Sequence, residues 1–315
     1  MTTARVLITC PQLQNSIDEY RTSLSRQGIE ILLPPVVQQL SEAELIELLP
    51  GVDGIIVGDD PLTSKVLARA DRLKVISKWG VGIDNIDLRA AAQAGIRVTN
   101  TPGMFGDEVA DVVIGYLILL ARQLHRIDER VRSGEWAKIE GISLAGRKLG
   151  IVGLGAIGQA VAQRAIAMGM DLIGSEIVET NAATASRIGV RITERAELLR
   201  EADVVSLNCP LTEDNHHMID ADALLTMKRG AWIINTARGP LIDEDALVDA
   251  LRTGQIGAAS LDVFEIEPLP MDSPLRRFDN VILGAHNSSN TAGAVRRTSL
   301  RAIENLLQGL AEAHA

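Results

Sequence analysis

Lys148-Leu149-Gly150-Ile151-Val152-Gly153-Leu154-Gly155-Ala156-Ile157-Gly158 reads as a buried strand running into a G-x-G-x-x-G turn. The apolar-periodic stretch that opens at this turn predicts a helix ending near Gly169, and Asp171 to Ser175 predicts a second strand that terminates at Glu176. A glycine turn alone is weak, but strand, turn, helix, strand and acid in that order form a dinucleotide-binding fingerprint. Gly153 permits the tight turn, Gly155 lets the backbone approach a pyrophosphate, and Gly158 lets the helix pack against the strand. The helix start at Ala156 and Ile157 then turns its free N–H groups and positive dipole end to the phosphates. Glu176 is expected to accept from the ribose hydroxyls. A 2′-phosphate there would meet Glu176 and Glu179, with only Ile177 and Val178 between them, so the cofactor reads as NAD rather than NADP.

A chain of 315 residues is long for one core, and two domains are the default expectation. Its 46% hydrophobic and 23% charged content is that of a globular protein, and 3% aromatic content requires aliphatic cores. The net charge of −10 argues against nucleic-acid and anionic-membrane partners. An anionic ligand must therefore be held by local cations and backbone amides. Cys10 and Cys209 stand far apart without a Cys/His cluster, which suggests a reducing compartment and no metal. The longest apolar run, Val112 to Ala121, is too short for a membrane span, and Val6-Leu7-Ile8 is too short for a signal peptide. The expectation is a soluble cytoplasmic protein.

Residues 1–100 alternate short strand-like runs (Val6 to Thr9, Gly54 to Val57, Lys74 to Ser77, Arg97 to Thr99) with helical segments, the rhythm of a parallel sheet with crossover helices. One long helix is expected over about 107–133, capped by Asp107. Its core from Val112 to Leu120 is apolar all round, so it should be covered at a domain junction or subunit interface. From 146 the βα rhythm resumes through strands at Asp203 to Leu207, Ala231 to Asn235, Gly257 to Leu261 and Val281 to Leu283, and a final helix covers about 291–310. The fold class predicted is α/β, with two doubly wound parallel-sheet domains and a cleft between them. No linker separates the two units, which allows the chain to cross between them in both directions.

Three residues near late strand ends form a chemical constellation. Arg238 follows Asn235-Thr236-Ala237, where ligands bind in open α/β sheets, and its planar guanidinium can hold a carboxylate through two bonds. His286 lies just past a strand, unlike His125 in an amphipathic helix, His216 and His217 in a polar loop, or His314 at the terminus. Glu267 sits in a proline-stiffened loop after Leu261-Asp262-Val263-Phe264. A carboxylate beside an imidazole stabilises the protonated ring, which keeps a proton available for a carbonyl oxygen. Taken singly, each is more often a surface arginine, a structural histidine or a loop acid.

Together, Gly153–Gly158, Asn235–Gly239, Leu261-Asp262-Val263-Phe264 with Glu267-Pro268, and His286 with Thr291 resemble the D-isomer-specific 2-hydroxyacid dehydrogenases. Gly80-Val81-Gly82-Ile83-Asp84-Asn85 and Cys209-Pro210-Leu211-Thr212 match as well, and the phosphoglycerate dehydrogenase-like branch is nearest. The resemblance implies that Arg238 binds the substrate carboxylate, His286 handles the proton and Glu267 orients His286. It further implies cofactor contacts at Cys209, Pro210, Thr236, Ala237 and Asp262, the last holding the carboxamide, and substrate contacts at Gly80, Val81 and Gly82. Lys78 stands where a distal phosphate would be met. The resemblance also implies a flavodoxin-like substrate domain of residues 1–100 with 290–315, a Rossmann cofactor domain of residues 101–289 and a homodimer formed through the cofactor domain, with 3-phosphoglycerate, hydroxypyruvate or glyoxylate as the type of substrate. Ala156 replaces a common Arg, Asn208 a common His and Asn215 a common Thr, and Asp107 to Asp111 adds an acid near the cleft mouth. The chain stops at Ala315, so no serine-responsive C-terminal domain is expected. The alternative function is an NAD-gated binding module of the corepressor kind, without turnover.

Overall fold

The computed structural model describes residues 4–313, so His314 lies outside the described residues. Two compact units form: one runs through Met104 and takes in the chain from Asn290 onward, and the other is Phe105–Ser289.

In the first unit, strands β1 (Ala4–Ile8), β2 (Ile29–Leu32), β3 (Gly54–Val57), β4 (Val75–Lys78) and β5 (Arg97–Thr99) run parallel in the order β2-β1-β3-β4-β5. Helices α1 (Pro11–Asn15), α2 (Asp18–Arg26), α3 (Glu42–Leu48), α4 (Ser64–Leu67) and α5 (Leu88–Gln93) connect them. This is the flavodoxin-like order, and its direction of winding reverses between β1 and β3. β2 escaped the sequence reading because Ile29-Glu30-Ile31-Leu32 is short and only partly buried. β3 is buried throughout, as a central parallel strand must be. Leu7, Ile55 and Ile76 of the sheet pack with Leu45, Leu49 and Val66 in one aliphatic core. Helix starts are set by side-chain caps: Ser41 and Glu44 form a capping box, and Thr63 and Asp87 each accept the amide three residues on.

In the second unit, strands β6 (Lys148–Val152), β7 (Asp171–Ser175), β8 (Arg191–Ile192), β9 (Val204–Leu207), β10 (Ala231–Asn235), β11 (Ile256–Leu261) and β12 (Val281–Leu283) are also all parallel. Their order is β12-β11-β10-β9-β6-β7-β8, so the direction of winding reverses between β6 and β9. The helices are α6 (Gly106–Arg122), α7 (Leu124–Arg132), α8 (Ala156–Ala167), α9 (Glu179–Arg187), α10 (Arg195–Glu201), α11 (Ala221–Thr226) and α12 (Glu244–Arg252). One face of the sheet packs Val205, Ile233 and Ala259 with Leu198, Leu224 and Leu247. The other packs Leu149, Ile151 and Ile234 with Val113, Leu117 and Val161.

The single helix expected over 107–133 is two. Gln123 adopts φ 49° and donates its amide to Leu119 O, ending α6 in a left-handed cap. Beyond it the pattern becomes polar, and α7 buries none of its residues. Asp107 does not cap α6. The cap position is Phe105, and Asp107 instead pairs with Arg164 of α8 at 2.9 Å while Asp111 pairs with the same guanidinium at 2.8 Å. α6 buries Val109, Val113, Tyr116 and Leu117 and packs along α8 within its own unit. The chain returns to the first unit as α13 (Ala292–Glu312), which packs on β3 and β4 and whose Ala302 carbonyl accepts from Ser77 Oγ at 2.8 Å. No helix among the described residues is long and apolar enough to cross a membrane.

Candidate active site

The glycine turn sits at the carboxyl end of β6, where the winding of its sheet reverses. Gly153 has φ +89°, and a Cβ there would lie 2.7 Å from the Cys209 amide nitrogen. A Cβ on Gly158 would lie 2.0 Å from Gly153 O, so α8 can pack this closely only with glycine at that position. Gly155 differs: a Cβ there meets no protein atom within 4 Å, and no side chain caps α8 at this residue. The helix therefore starts at Ala156 and Ile157 with its positive end uncapped. Glu176 braces the turn from the end of β7. Its Oε2 accepts the Leu154 amide at 2.7 Å, and its Oε1 accepts the Ile177 and Val178 amides at 2.9 Å each.

Two neighbouring strand ends carry polar atoms that the protein leaves unsatisfied. Asn208 Oδ1 after β9 and Thr236 Oγ1 after β10 are buried without a hydrogen-bond partner, a condition that costs about 1–3 kcal/mol per group. Next to them, Ala237 is half-buried with its amide on Asn235 Oδ1 at 3.0 Å. Cys209 is half-buried, with its thiol pushed up to about 11 by burial, and Pro210 is exposed. An uncapped helix start, open space on the Cβ side of Gly155 and two orphaned polar atoms together fit a dinucleotide.

The candidate catalytic residues lie at the ends of the adjacent strands β10, β11 and β12. His286, at φ 50°, donates its amide to Asp262 O at 2.7 Å. Its Nδ1 donates to Glu267 Oε2 at 2.8 Å, since a carboxylate only accepts. Glu267 Oε1 accepts the Phe264 amide at 2.9 Å, so both carboxylate oxygens are fixed. Nε2 is the ring nitrogen not directed at Glu267. Arg238 is half-buried, donates Nη1–H to Ala237 O at 2.9 Å, and has its carbonyl held by the buried Asn235 Nδ2 at 2.7 Å. A Cβ on Gly239 would lie 1.9 Å from the Phe264 carbonyl carbon and 2.4 Å from the Glu265 nitrogen. The segment carrying Arg238 is thus pressed directly onto the loop carrying Glu267.

Asp262 departs from expectation. Its carboxylate is 2% exposed and accepts the amides of Asn287 at 3.2 Å and Ser288 at 2.8 Å, the Ser288 hydroxyl, and the Tyr116 hydroxyl at 3.4 Å. Turned into the His286 loop and saturated there, it pins that loop rather than facing outward to a carboxamide. Burial and Asp262 both push the Tyr116 hydroxyl pKa up. The sequence reading missed Tyr116 and Ser288. The available signal was a lone phenol on an otherwise aliphatic helix.

In the first unit, Gly80 (φ +141°) shares a pair of hydrogen bonds with Thr101 Oγ1, and Asn100 Nδ2 holds Val81 O at 2.7 Å. Among the described residues, the Val81 and Gly82 amides have no protein acceptor. Lys78 is a correction. Its side chain is 1% exposed, with the ammonium donating to Gly58 O and to Asp59 Oδ1 at 2.9 Å, so its charge is spent inside the unit.

Residues 114–288 match the family model described as D-isomer specific 2-hydroxyacid dehydrogenase, NAD binding domain. The chain belongs to the D-isomer-specific 2-hydroxyacid dehydrogenases. It is an NAD-dependent oxidoreductase, and the second unit is its Rossmann-fold part. Among relatives, a glyoxylate reductase of Thermofilum pendens is 38% identical over 85% of this chain and 81% of its own length. A D-3-phosphoglycerate dehydrogenase of Methanocaldococcus jannaschii is 41% identical over 82% of this chain but only 50% of its own length. The crystal structure of a D-lactate dehydrogenase from Aquifex aeolicus, complexed with NAD and lactic acid, superposes with a TM-score of 0.85 at 30% identity, covering 98% of this chain and 96% of that one.

Proposed function

We propose that this dehydrogenase interconverts a small 2-oxo acid and its D-2-hydroxy acid. The observation that carries the reading is the His286–Glu267 pair at 2.8 Å with Arg238 on the neighbouring strand end, in the same sheet as the glycine turn. NAD, when bound, would supply the hydride transferred to or from substrate C2. Gly153, Gly155, Ala156, Ile157 and Gly158 would cradle its phosphates, and Glu176 would accept from its ribose and repel a 2′-phosphate. Cys209, Pro210, Thr236 and Ala237 line the remaining strand ends beside it.

Arg238 holds the substrate carboxylate and polarises the 2-oxo group. His286 Nε2 gives a proton to the substrate oxygen in reduction and takes it back in oxidation. Glu267 keeps Nδ1–H in place and stabilises the charged ring. Asp262 acts through the loop it pins. Residues 101–289 serve as the cofactor domain and residues 1–100 with 290–315 as the substrate domain, whose Gly80–Gly82 loop offers the Val81 and Gly82 amides to an anion. A homodimer assembled through the cofactor domain is supported by the exposed apolar residues that its sequence carries between 124 and 142: Leu124, Val131, Trp136 (84% exposed) and Ile142. We place the enzyme in the cytoplasm.

The test is steady-state turnover of glyoxylate and hydroxypyruvate with NADH and with NADPH. NADH is expected to be preferred. Arg238→Ala and His286→Ala should each lower kcat/KM by roughly 10²–10⁴-fold. Unchanged turnover in both variants would remove the assignment.

A further inference from the structure

The loop from Phe264 to Pro268 carries two carboxylates, and each is paired with an imidazole whose backbone is left-handed. Glu267 Oε2 accepts from His286 Nδ1 at 2.8 Å, and Glu265 Oε1 accepts from His217 Nε2 at 2.7 Å. His286 has φ 50° and His217 φ 51°. The first pair belongs to the chemistry above, and the second is not used by it. The two rings are also spent differently. His286 commits Nδ1 to its carboxylate, whereas His217 commits Nε2 and lies against the His216 ring, with centroids 4.0 Å apart. His217 is thus a tether and not a second proton donor.

Its backbone shows what is tethered. The His217 amide donates to Pro240 O at 2.8 Å, and the chain continues beside the same segment: the Ile219 amide reaches Leu241 O and the Asp243 amide reaches Ile219 O, each at 3.1 Å. Main chain from 217 to 219 therefore supports the turn that follows Arg238, while the His217 side chain holds the loop that carries Glu267. Glu265 Oε1 also accepts the Glu244 amide at 3.2 Å, and the Glu265 amide donates to Glu244 Oε1 at 2.6 Å, which fastens the start of α12 to that loop. Burial, with the neighbouring carboxylates of Glu265, Asp245 and Glu267, pushes the Glu244 carboxyl pKa up. A ring N–H aimed at Glu265 offsets this crowding of acids.

We propose that His217 is a positioning residue for the dehydrogenase reaction: through Pro240 on its main chain and Glu265 on its side chain, it sets the Arg238 guanidinium against the His286–Glu267 pair. This rests on the reading that Arg238 holds the substrate carboxylate while His286 serves the substrate oxygen. Both groups must meet one small acid at once, and a misplacement of about 1 Å costs roughly a hundredfold in rate. The His217–Glu265 bond is only half-buried, so its loss should cost less, about tenfold.

The experiment measures the melting temperature, the NADH Kd, and kcat and KM for the better of glyoxylate and hydroxypyruvate, in the wild type, His217→Phe and His217→Gln. Phe keeps the bulk of the ring without a donor, and Gln keeps an N–H. His217→Phe should lower kcat about tenfold while the NADH Kd stays within about twofold of wild type. His217→Gln should recover most of that loss. A histidine that only supports the fold would lower the melting temperature and leave kcat per folded enzyme unchanged, which overturns the inference, as does a Gln variant no faster than Phe. Glu265→Ala removes the other half of the bond and carries the same expectation where His217→Phe does not fold. Where both fold, combining them should cost no more than Glu265→Ala alone, and additive losses overturn the tether. A wild type that turns over no 2-oxo acid would overturn the dehydrogenase reading and this inference with it, a result distinct from an unchanged His217→Phe.

Discussion

Both units are parallel α/β sheets with a point where the winding reverses, and in such sheets that point opens a crevice. Between β1 and β3 the chain fills it with its own groups: Thr9 on Asp60 at 2.6 Å, and Lys78 on Gly58 and Asp59. Between β6 and β9 it leaves open space where a Cβ on Gly155 would stand, and the nearby Asn208 Oδ1 and Thr236 Oγ1 buried and unpaired. The filling is not perfect, since Asn85 Oδ1 is also unpaired. The lesson is that topology supplies the crevice, while the local side chains decide whether the protein or a ligand completes it.

The comparison breaks most visibly at the glycine turn. Gly158→Ala forces a Cβ to within 2.0 Å of Gly153 O, so we expect about 1–3 kcal/mol of destabilisation together with loss of NAD binding. Gly155→Ala meets no protein atom, and its melting temperature should stay within about 2 °C of wild type while NAD affinity falls about tenfold. Thermal denaturation paired with NAD titration distinguishes the two. A Gly155→Ala protein as unstable as Gly158→Ala would show that the open side serves the fold rather than a ligand.

Asp60 probes the filled crevice, with an effect of similar or smaller size. Asp60→Ala strips an acceptor from Thr9, Leu40 and Gly58, and should cost about 1–3 kcal/mol while leaving NAD affinity unchanged. Burial raises the Asp60 carboxyl pKa above its unfolded value. The contribution of Asp60 to stability should therefore be greatest below the unfolded value and decline as pH rises through the folded one, a component of the pH slope that Asp60→Asn would remove. Urea titrations across the acid range test it.

The smallest effect lies at the amino ends of the strands of the second sheet, where hydrogen bonds from Lys148 and Arg191 hold the Glu201 carboxyl at about 2. This depressed value helps the folded state at neutral pH, and the help fades as pH falls from about 4.5 towards 2. Glu201→Gln should lower the melting temperature slightly at pH 7, less so in high salt, and not at all near pH 2.

What was legible in the sequence is what depends on neighbours along the chain. Gly153, Gly155, Gly158 and Glu176 lie on one βαβ unit, so their order alone suggested their geometry. Residues whose role depends on which strands sit side by side were misread. Lys78 looked available because only the pairing of β3 with β4 brings Asp59 to it. Asp262 looked like an outward-facing ligand because nothing local predicts that Tyr116 and Ser288 converge on it. The break at Gln123 was hidden because the apolar residues of α6 run on into Leu124, Ile127 and Val131, while the hydrophilic majority of α7 changes only the face they cover.

The missing methyl at Gly239 couples two parts that could otherwise have moved separately. With the Phe264–Glu265 peptide lying where a side chain would begin, the guanidinium carrier and the proton-relay loop share one seam of main chain. Any redesign of the acid-recognition arginine must then be treated as a redesign of the histidine's partner. Selection for new acceptors should produce compensating changes on both sides of that seam, or none.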